Sequence, residues 1–174
     1  VLYRIGSRNE RTGQTGVSHW VEHMMFKGTD MFPAGELDKA ISREGGSWNA
    51  QTSMDYTAYY ETMPSDRIDL GLRLEADRMV HSFVAKKDLD TEMTVVRNEF
   101  ESGENSPFGV LLKRLQSIAY DWHSYGRSSI GNRSDIENVK EENLQAFYRT
   151  YYQPDNAVLL VGDRIVLALL VHGD

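Results

Sequence analysis

Segments with helical spacing alternate along this chain with a few β-rich stretches, and this alternation limits the fold more than any other feature. The two clearest β-rich stretches, "SWNAQTS" at 47–53 and "DYTAYYETM" at 55–63, carry Thr and aromatic residues that suit a pleated surface. Glycines and prolines bound the helical segments around them. We see no internal repeat, so the sequence predicts a single α+β domain.

The order of the predicted elements follows from these signals. Strands are predicted at 1–5, in the two stretches above, and in the continuous apolar run "NAVLLVG" at 156–162. Loops are predicted at 6–15 and 123–133. Helices are predicted at 16–27, from Pro33 to the glycines at 45 and 46, from Pro64 past Met79, and at 88–103, 108–122 and 143–152.

The composition narrows the class of protein. A net charge of −7 over 174 residues argues against a nucleic-acid-binding protein, which would carry a basic face. The chain has no cysteine, so any metal must be held by nitrogen and oxygen. The longest apolar run, residues 165–171, is too short to cross a membrane, so we expect no membrane span. The absence of cysteine is compatible with the cytoplasm, which we favour, and with the bacterial periplasm or the mitochondrial matrix.

The stretch "SHWVEHMMFKGT" at 18–29 places two histidines four positions apart on the predicted first helix. Residues at this spacing lie on one helix face, with Cβ atoms about 5–6 Å apart. His19 and His23 can therefore offer two imidazoles to one ion, and Glu22 lies near the same face. The order His-x-x-Glu-His reverses the familiar zinc-protease order, but the spacing is restored when the helix is read from its other end. The pattern predicts a metal site on this helix.

A third ligand is needed, because catalytic zinc keeps three protein ligands and one open position for water. The spacing of the downstream acids leaves several candidates open, although Glu92 and Glu99, seven apart, share one face of their predicted helix. The candidates are Glu61, Glu75, Asp77, Glu92, Glu99, Glu101 and Glu104.

The other three histidines are weaker metal ligands. His81 lies near a predicted helix end and is expected to cap it. His123 lies in a predicted loop beside Trp122, and His172 lies near the carboxyl end of the sequence. None of the three is predicted to bind the ion.

Several segments together resemble the pitrilysin/insulinase family of zinc peptidases, the inverzincins, which include the mitochondrial processing peptidases. The matching segments are "TGVSHWVEHMMFKGT", "GSWNAQTSMDYTAYY", "EMTVVRNEFE", "YGRSSIGNRSDIENV" and "YYQPDNAVLLVGD". The resemblance implies an α+β metallohydrolase fold of the processing-peptidase type, with a mixed, mostly antiparallel sheet packed with helices. It also implies an amino-terminal-type zinc-peptidase domain at 1–163, whose first strand or strands would precede this sequence, and an atypical tail at 164–174.

The resemblance also assigns residue roles. His19, His23 and Glu99 match the ligands of one Zn²⁺ per chain. Glu22 matches the general base, and Glu92 matches an acid that supports the site from the same helix as Glu99. Asn49 and Ala50 match edge-strand positions that contact bound peptide.

The resemblance implies a zinc metalloendopeptidase that cleaves peptides or unfolded polypeptides, with water activated by the metal and Glu22. In the family, a second related domain or subunit supplies an Arg and a Tyr, so we expect such a companion and more secure zinc binding than activity for this chain alone. Two alternatives are a non-catalytic partner or binding subunit of a larger peptidase, and a metal-dependent hydrolase of a non-peptide substrate.

Overall fold

A computed structural model describes residues 1–162 as four strands and seven helices. The strands are β1 (Leu2–Tyr3), β2 (Ser47–Thr52), β3 (Thr57–Thr62) and β4 (Ala157–Val158). The helices are α1 (Val17–Met24), α2 (Glu36–Arg43), α3 (Ile68–His81), α4 (Lys86–Glu104), α5 (Pro107–Tyr120), α6 (Arg133–Glu137) and α7 (Glu141–Tyr151). Single turns of 3-10 helix occur at Ser7–Asn9, Ser65–Arg67, Ser124–Gly126 and Pro154–Asn156.

The four strands form one antiparallel sheet in the order β2-β3-β1-β4. β2 and β3 are consecutive strands in a hairpin that pairs Ser47 with Thr62 and Thr52 with Thr57. Among the strands in residues 1–162, β2 has a neighbour on one side only. The other side of β2 is therefore available for a further strand.

Helix α1 is the central helix of the core. It contacts β2, α4 and α7, and Trp20, Val21 and Met24 on it are fully buried. The facing side of α4 contributes Leu89 and Val96 to the same cluster. Burial of these large side chains fixes α1 against α4 and against the sheet.

The amino end of α1 is fixed by a carboxylate from outside the helix. Glu10 is buried and accepts hydrogen bonds from the backbone N–H of Gly16, at 2.8 Å, and of Ser18, at 2.9 Å. A negative charge here satisfies free helical donors and complements the helix dipole. Gly16 begins the helix with a φ of 86°, and a Cβ there would lie 2.5 Å from the carbonyl oxygen of Ile130. Glycine is therefore required by both conformation and space.

Some predicted elements differ from the structure. The run at 156–162 was predicted as one strand, but only Ala157–Val158 is a strand, and Leu159 and Leu160 are more than half exposed. The predicted loop at 123–133 contains a 3-10 turn, and helix α6 follows it without having been predicted. The apolar side predicted for α3 is only partly buried, since Ile68 and Leu72 are about 40% exposed. The proposed tail at 164–174, with His172, lies outside the described residues.

Helix α5 carries an exposed apolar side. Phe108, Leu111, Leu115 and Ile118 are 58–80% exposed, and Trp122 just after the helix is 84% exposed. None of the helices within residues 1–162 has both the length and the apolar content that crossing a membrane requires. The α5 side chains form the exposed apolar side of an amphipathic helix.

Candidate metal centre

The two imidazoles of α1 face each other at the mouth of a cleft. The Nε2 atoms of His19 and His23 lie 3.2 Å apart, and both side chains are largely buried. The i, i+4 spacing on one helix face produces this pairing, as the sequence predicted.

Helix α4 brings a carboxylate to the same point. Glu99 Oε2 lies 3.3 Å from Nε2 of His19 and 3.3 Å from Nε2 of His23. The hydrogen bond with His19 lowers the pKa of Glu99, and the charges of the two imidazoles act in the same direction. Partial burial opposes this shift but is outweighed. Among the residues that the structure describes, these three form the group able to hold a metal ion.

The dimensions of this group fit zinc. In a tetrahedral site with zinc–nitrogen and zinc–oxygen distances of about 2.0–2.1 Å, two ligand atoms lie about 3.3 Å apart. The three separations of 3.2, 3.3 and 3.3 Å match that value. Two imidazoles and one carboxylate also form a donor set found in catalytic zinc proteins, with a fourth position left for water.

Glu92 contacts the outer side of one imidazole. Its Oε1 lies 2.9 Å from Nδ1 of His23, and its Oε2 accepts a hydrogen bond from Lys27 Nζ. Partial burial raises the pKa of Glu92, but the hydrogen bonds from Lys27 and His23 outweigh it and lower the pKa overall. The ionised Glu92 is therefore suited to accept the Nδ1–H proton of His23 in a hydrogen bond.

Glu22 lies on α1 next to His23 and lines the same cleft. It is 9% exposed, and its Oε2 accepts a hydrogen bond from the hydroxyl of Thr52 on β2. One carboxylate oxygen is thus anchored to the sheet. The arrangement gives a buried carboxylate in a fixed position beside the histidine pair.

The cleft has a volume of about 500 Å³ and is lined in part by β2. Asn49, Ala50, Gln51 and Thr52 line one wall, and Ser129 and Ile130 line it from the loop before α6. Residues of β2 therefore bound the cleft together with the histidine pair.

The backbone of Ala50 points away from β3. Tyr59, the partner of Ala50 in the sheet, uses both its N–H and its carbonyl to bond Val1, at 2.8 and 2.7 Å. In an antiparallel pair, hydrogen-bonded and non-hydrogen-bonded positions alternate, so the N–H and carbonyl of Ala50 face the free edge. The side chain of Asn49 accepts that N–H at 2.8 Å.

The remaining candidate acids have other partners. Glu61 and Glu75 flank the buried guanidinium of Arg78, with Glu61 Oε1 3.0 Å from Nη2, and desolvation, with help from Glu75, raises the pKa of Glu61 to about 8. Asp77 pairs with His81 at 2.8 Å, near the end of α3. Glu101 and Glu104 form exposed ion pairs with Arg133 and Lys113.

His123 accepts the N–H of Tyr125 at 3.1 Å and caps a 3-10 turn. Four further residues at the site were not predicted from the sequence: Lys27, Thr52, Ser129 and Ile130. Lys27 follows His23 by four positions, a spacing that could have identified it. The other three are brought to the cleft by tertiary packing, for which the sequence carries no local signal.

Comparison with known proteins gives the family. Residues 1–133 match the insulinase family, peptidase family M16. The chain belongs to this family. The insulinase-family match confirms the resemblance inferred from the sequence segments, and the α+β fold agrees with it.

Individual relatives agree with the family match. The chain is 41% identical over 165 residues to the zinc protease PqqE of Helicobacter pylori, covering 94% of this chain and 37% of that protein. A crystal structure of a protease from Helicobacter pylori superposes with a TM-score of 0.86 at 38% identity, over 89% of this chain and 38% of that one. The first half of the periplasmic protease PqqL from Escherichia coli, 24% identical, has the same fold, with a TM-score of 0.80 over 89% of this chain and 35% of that one.

These relatives support a peptidase role in general and zinc as the metal of the family. The chain spans about two fifths of the length of the Helicobacter pylori protease that it matches. A second domain beside this one is consistent with that length.

Proposed function

We propose that this chain is the metal-bearing part of a zinc endopeptidase, which cleaves peptides or unfolded polypeptides bound as an added strand along β2. The observation that supports this most strongly is the triangle of His19 Nε2, His23 Nε2 and Glu99 Oε2, with sides of 3.2–3.3 Å. That triangle lies in one cleft with Glu22 and residues 49–52 of β2. Metal, base and substrate edge would thus be adjacent.

His19, His23 and Glu99 would hold one Zn²⁺ per chain. Zinc, when bound, lowers the pKa of its water to about 7 and stabilises the negative charge that develops on the carbonyl oxygen under attack. Glu92 would keep the proton of His23 on Nδ1, which leaves the lone pair of Nε2 for the ion.

Glu22 would act as the general base. The hydroxyl of Thr52 holds Oε2, so Oε1 is free to take a proton from the attacking water. The same carboxyl group would then deliver that proton to the leaving amine. Its 9% exposure limits competing contacts with bulk water.

Substrate would bind by strand addition. The N–H and carbonyl of Ala50 are directed at the free edge, and a peptide in extended conformation can bond to both. Asn49 Oδ1 accepts a hydrogen bond from the N–H of Ala50, and its side chain would rotate away when the peptide binds. Recognition through the main chain favours extended, unfolded segments over a particular sequence.

The domain is proposed to comprise residues 1–163, with 164–174 as a separate tail. Because the chain covers about two fifths of its relative's length, we propose that a second related domain or subunit completes the active enzyme. Because this chain covers only part of its relative's length, a second candidate function is a partner subunit that binds peptide without cleaving it.

The deciding experiment measures zinc content of this chain, and cleavage of a quenched, unstructured fluorogenic peptide by the complete enzyme that contains it, for wild type and Glu22→Gln. We expect about one zinc in both proteins and a rate at least 100-fold lower in Glu22→Gln, within the range for loss of a general base. Glu36→Gln, at an exposed ion pair on α2, is the matched control and should cleave like wild type.

Three outcomes would contradict parts of the proposal. Wild-type protein without zinc under saturating supply removes the metal centre. A zinc-loaded complete enzyme that binds the peptide but leaves it intact supports the partner-subunit function. A Glu22→Gln variant that cleaves like wild type removes Glu22 as the base.

A further inference from the structure

Two carboxylates on one face of α4 reach the same imidazole. Glu92 Oε1 lies 2.9 Å from Nδ1 of His23, and Glu99 Oε2 lies 3.3 Å from Nε2 of the same ring. The two acids are seven residues apart, so helical spacing alone makes each of them an available metal ligand. Another contact must determine which acid faces the ion and which one faces the outer nitrogen.

Lys27 makes that contact. Its ammonium group donates to Glu92 Oε2, while Glu92 Oε1 is engaged by His23. The side chains of Lys27, Glu92 and His23 are only 22%, 13% and 12% exposed, so the chain of contacts is shielded from solvent. Both oxygens of Glu92 are therefore occupied on the side of His23 that faces away from Glu99.

We propose that Lys27 is a positioning residue that assigns the two acids their roles. It anchors Glu92 behind His23, so that Nδ1 carries the proton and Nε2 is presented to the metal, and it leaves Glu99 as the carboxylate ligand. The inference rests on the proposed metal centre and goes beyond it, because it names what keeps the second acid off the ion.

The consequences of removing Lys27 follow from charge and space. Glu92 would remain as a largely buried carboxylate without its cation, which is costly. Rotation toward the ion would relieve that cost, but it would break the contact that orients His23 and would add a fifth ligand to a four-coordinate ion. Among the described residues, Nδ1 of His19 is buried without a hydrogen-bond partner, whereas Nδ1 of His23 is held by Glu92.

The test is zinc affinity, measured by competition with a chromogenic chelator and so independent of peptide cleavage. Lys27→Met is expected to bind zinc about tenfold more weakly, as for other changes to the partners of metal ligands. Lys27→Arg, which keeps the cation, should bind close to wild type. Lys39→Met, which breaks an exposed Lys–Glu pair on α2, is the matched control and should equal wild type.

A double-mutant cycle tests whether Lys27 acts through Glu92. If it does, Lys27→Met combined with Glu92→Gln should have the affinity of Glu92→Gln alone. If the losses of zinc affinity in the two single variants add up in the double variant, the inference is overturned. It is also overturned if Lys27→Met binds zinc like wild type. A wild-type chain that binds no zinc overturns the proposed metal centre, and this role with it.

Cobalt substitution supplies a spectroscopic readout that a purely structural role would not change. Four-coordinate Co²⁺ absorbs visible light more strongly than five-coordinate Co²⁺. Lys27→Met should therefore show a weaker visible band than wild type at full Co²⁺ occupancy, and Lys27→Arg should restore it. An unchanged band in folded Lys27→Met contradicts the assignment.

Discussion

Glu99 Oε2 lies 3.3 Å from Nε2 of His23, although 75 residues lie between the two in the sequence. Packing of α1 against α4 creates this contact, and we expect it to determine metal affinity. Glu99→Gln removes the negative ligand and should weaken zinc binding by more than the roughly 10–100-fold typical of changes to a ligand's partner. Equilibrium dialysis against buffered zinc measures it. Glu101→Gln, exposed on the same helix, should leave the affinity unchanged.

The free edge of β2 gives a second prediction. Ala50→Pro removes the N–H that faces the edge, and proline is tolerated at such positions because no ladder bond is lost. KM for an unstructured peptide should rise several-fold while zinc content stays constant. Ala50→Ser keeps the N–H and serves as the control. Asn49→Ala, which frees that N–H, should lower KM, and a rise instead would argue that the Asn49 side chain itself binds substrate.

The pH dependence of stability gives a third prediction. The pKa of Glu61 is raised from 4.5 to about 8 in the folded protein, so the native state binds this proton more tightly than the unfolded state. Stability should therefore fall as the pH rises from about 5 to about 8. Urea unfolding at a series of pH values should show a flatter profile for Glu61→Gln than for wild type. Glu142→Gln, exposed at the start of α7, should keep the wild-type profile.

A fourth prediction concerns the start of α1. Gly16→Ala and Gly35→Ala both place a Cβ at a positive φ, which costs about 1–2 kcal/mol. At Gly35 the Cβ would meet nothing within 4 Å, whereas at Gly16 it would lie 2.5 Å from Ile130 O. Gly16→Ala should therefore lower the melting temperature more than Gly35→Ala. Equal shifts would mean that the Ile130 loop yields without cost.

Local sequence patterns predicted much of this molecule. Leu89, Met93, Val96 and Phe100 follow one another at spacings of four, three and four, a helical period that predicts the apolar side of α4, and all four are buried or partly buried. The spacing of His19 and His23 predicted two imidazoles on one helix face. Both signals have a helical period, and for that reason they can be read without knowledge of the fold.

Features that depend on tertiary packing could not be predicted in this way. Spacing alone left seven acids as candidates for the third ligand. The family resemblance selected Glu99, and the packing of α4 on α1 brings Glu92 and Glu99 to the histidines. The apolar composition of 156–162 predicted a longer strand than the one at Ala157–Val158. An apolar run is buried in a sheet only where neighbouring strands are present, and composition does not reveal those neighbours. The Thr52–Glu22 bond joins residues 30 positions apart and has no local signature.

The placement of the three proposed ligands has a further consequence for folding. Two come from one turn of α1 and the third from α4, so an ion bound there ties off a closed ring of chain that contains the whole β2–β3 hairpin and α3. A cross-link of this length removes conformational freedom from the unfolded ensemble, and an ion bound only by the native state adds its binding energy to stability. Removal of the ion by a chelator should then loosen the contact between α1 and α4 before the rest of the core. The ion would thus stabilise the domain as well as take part in catalysis.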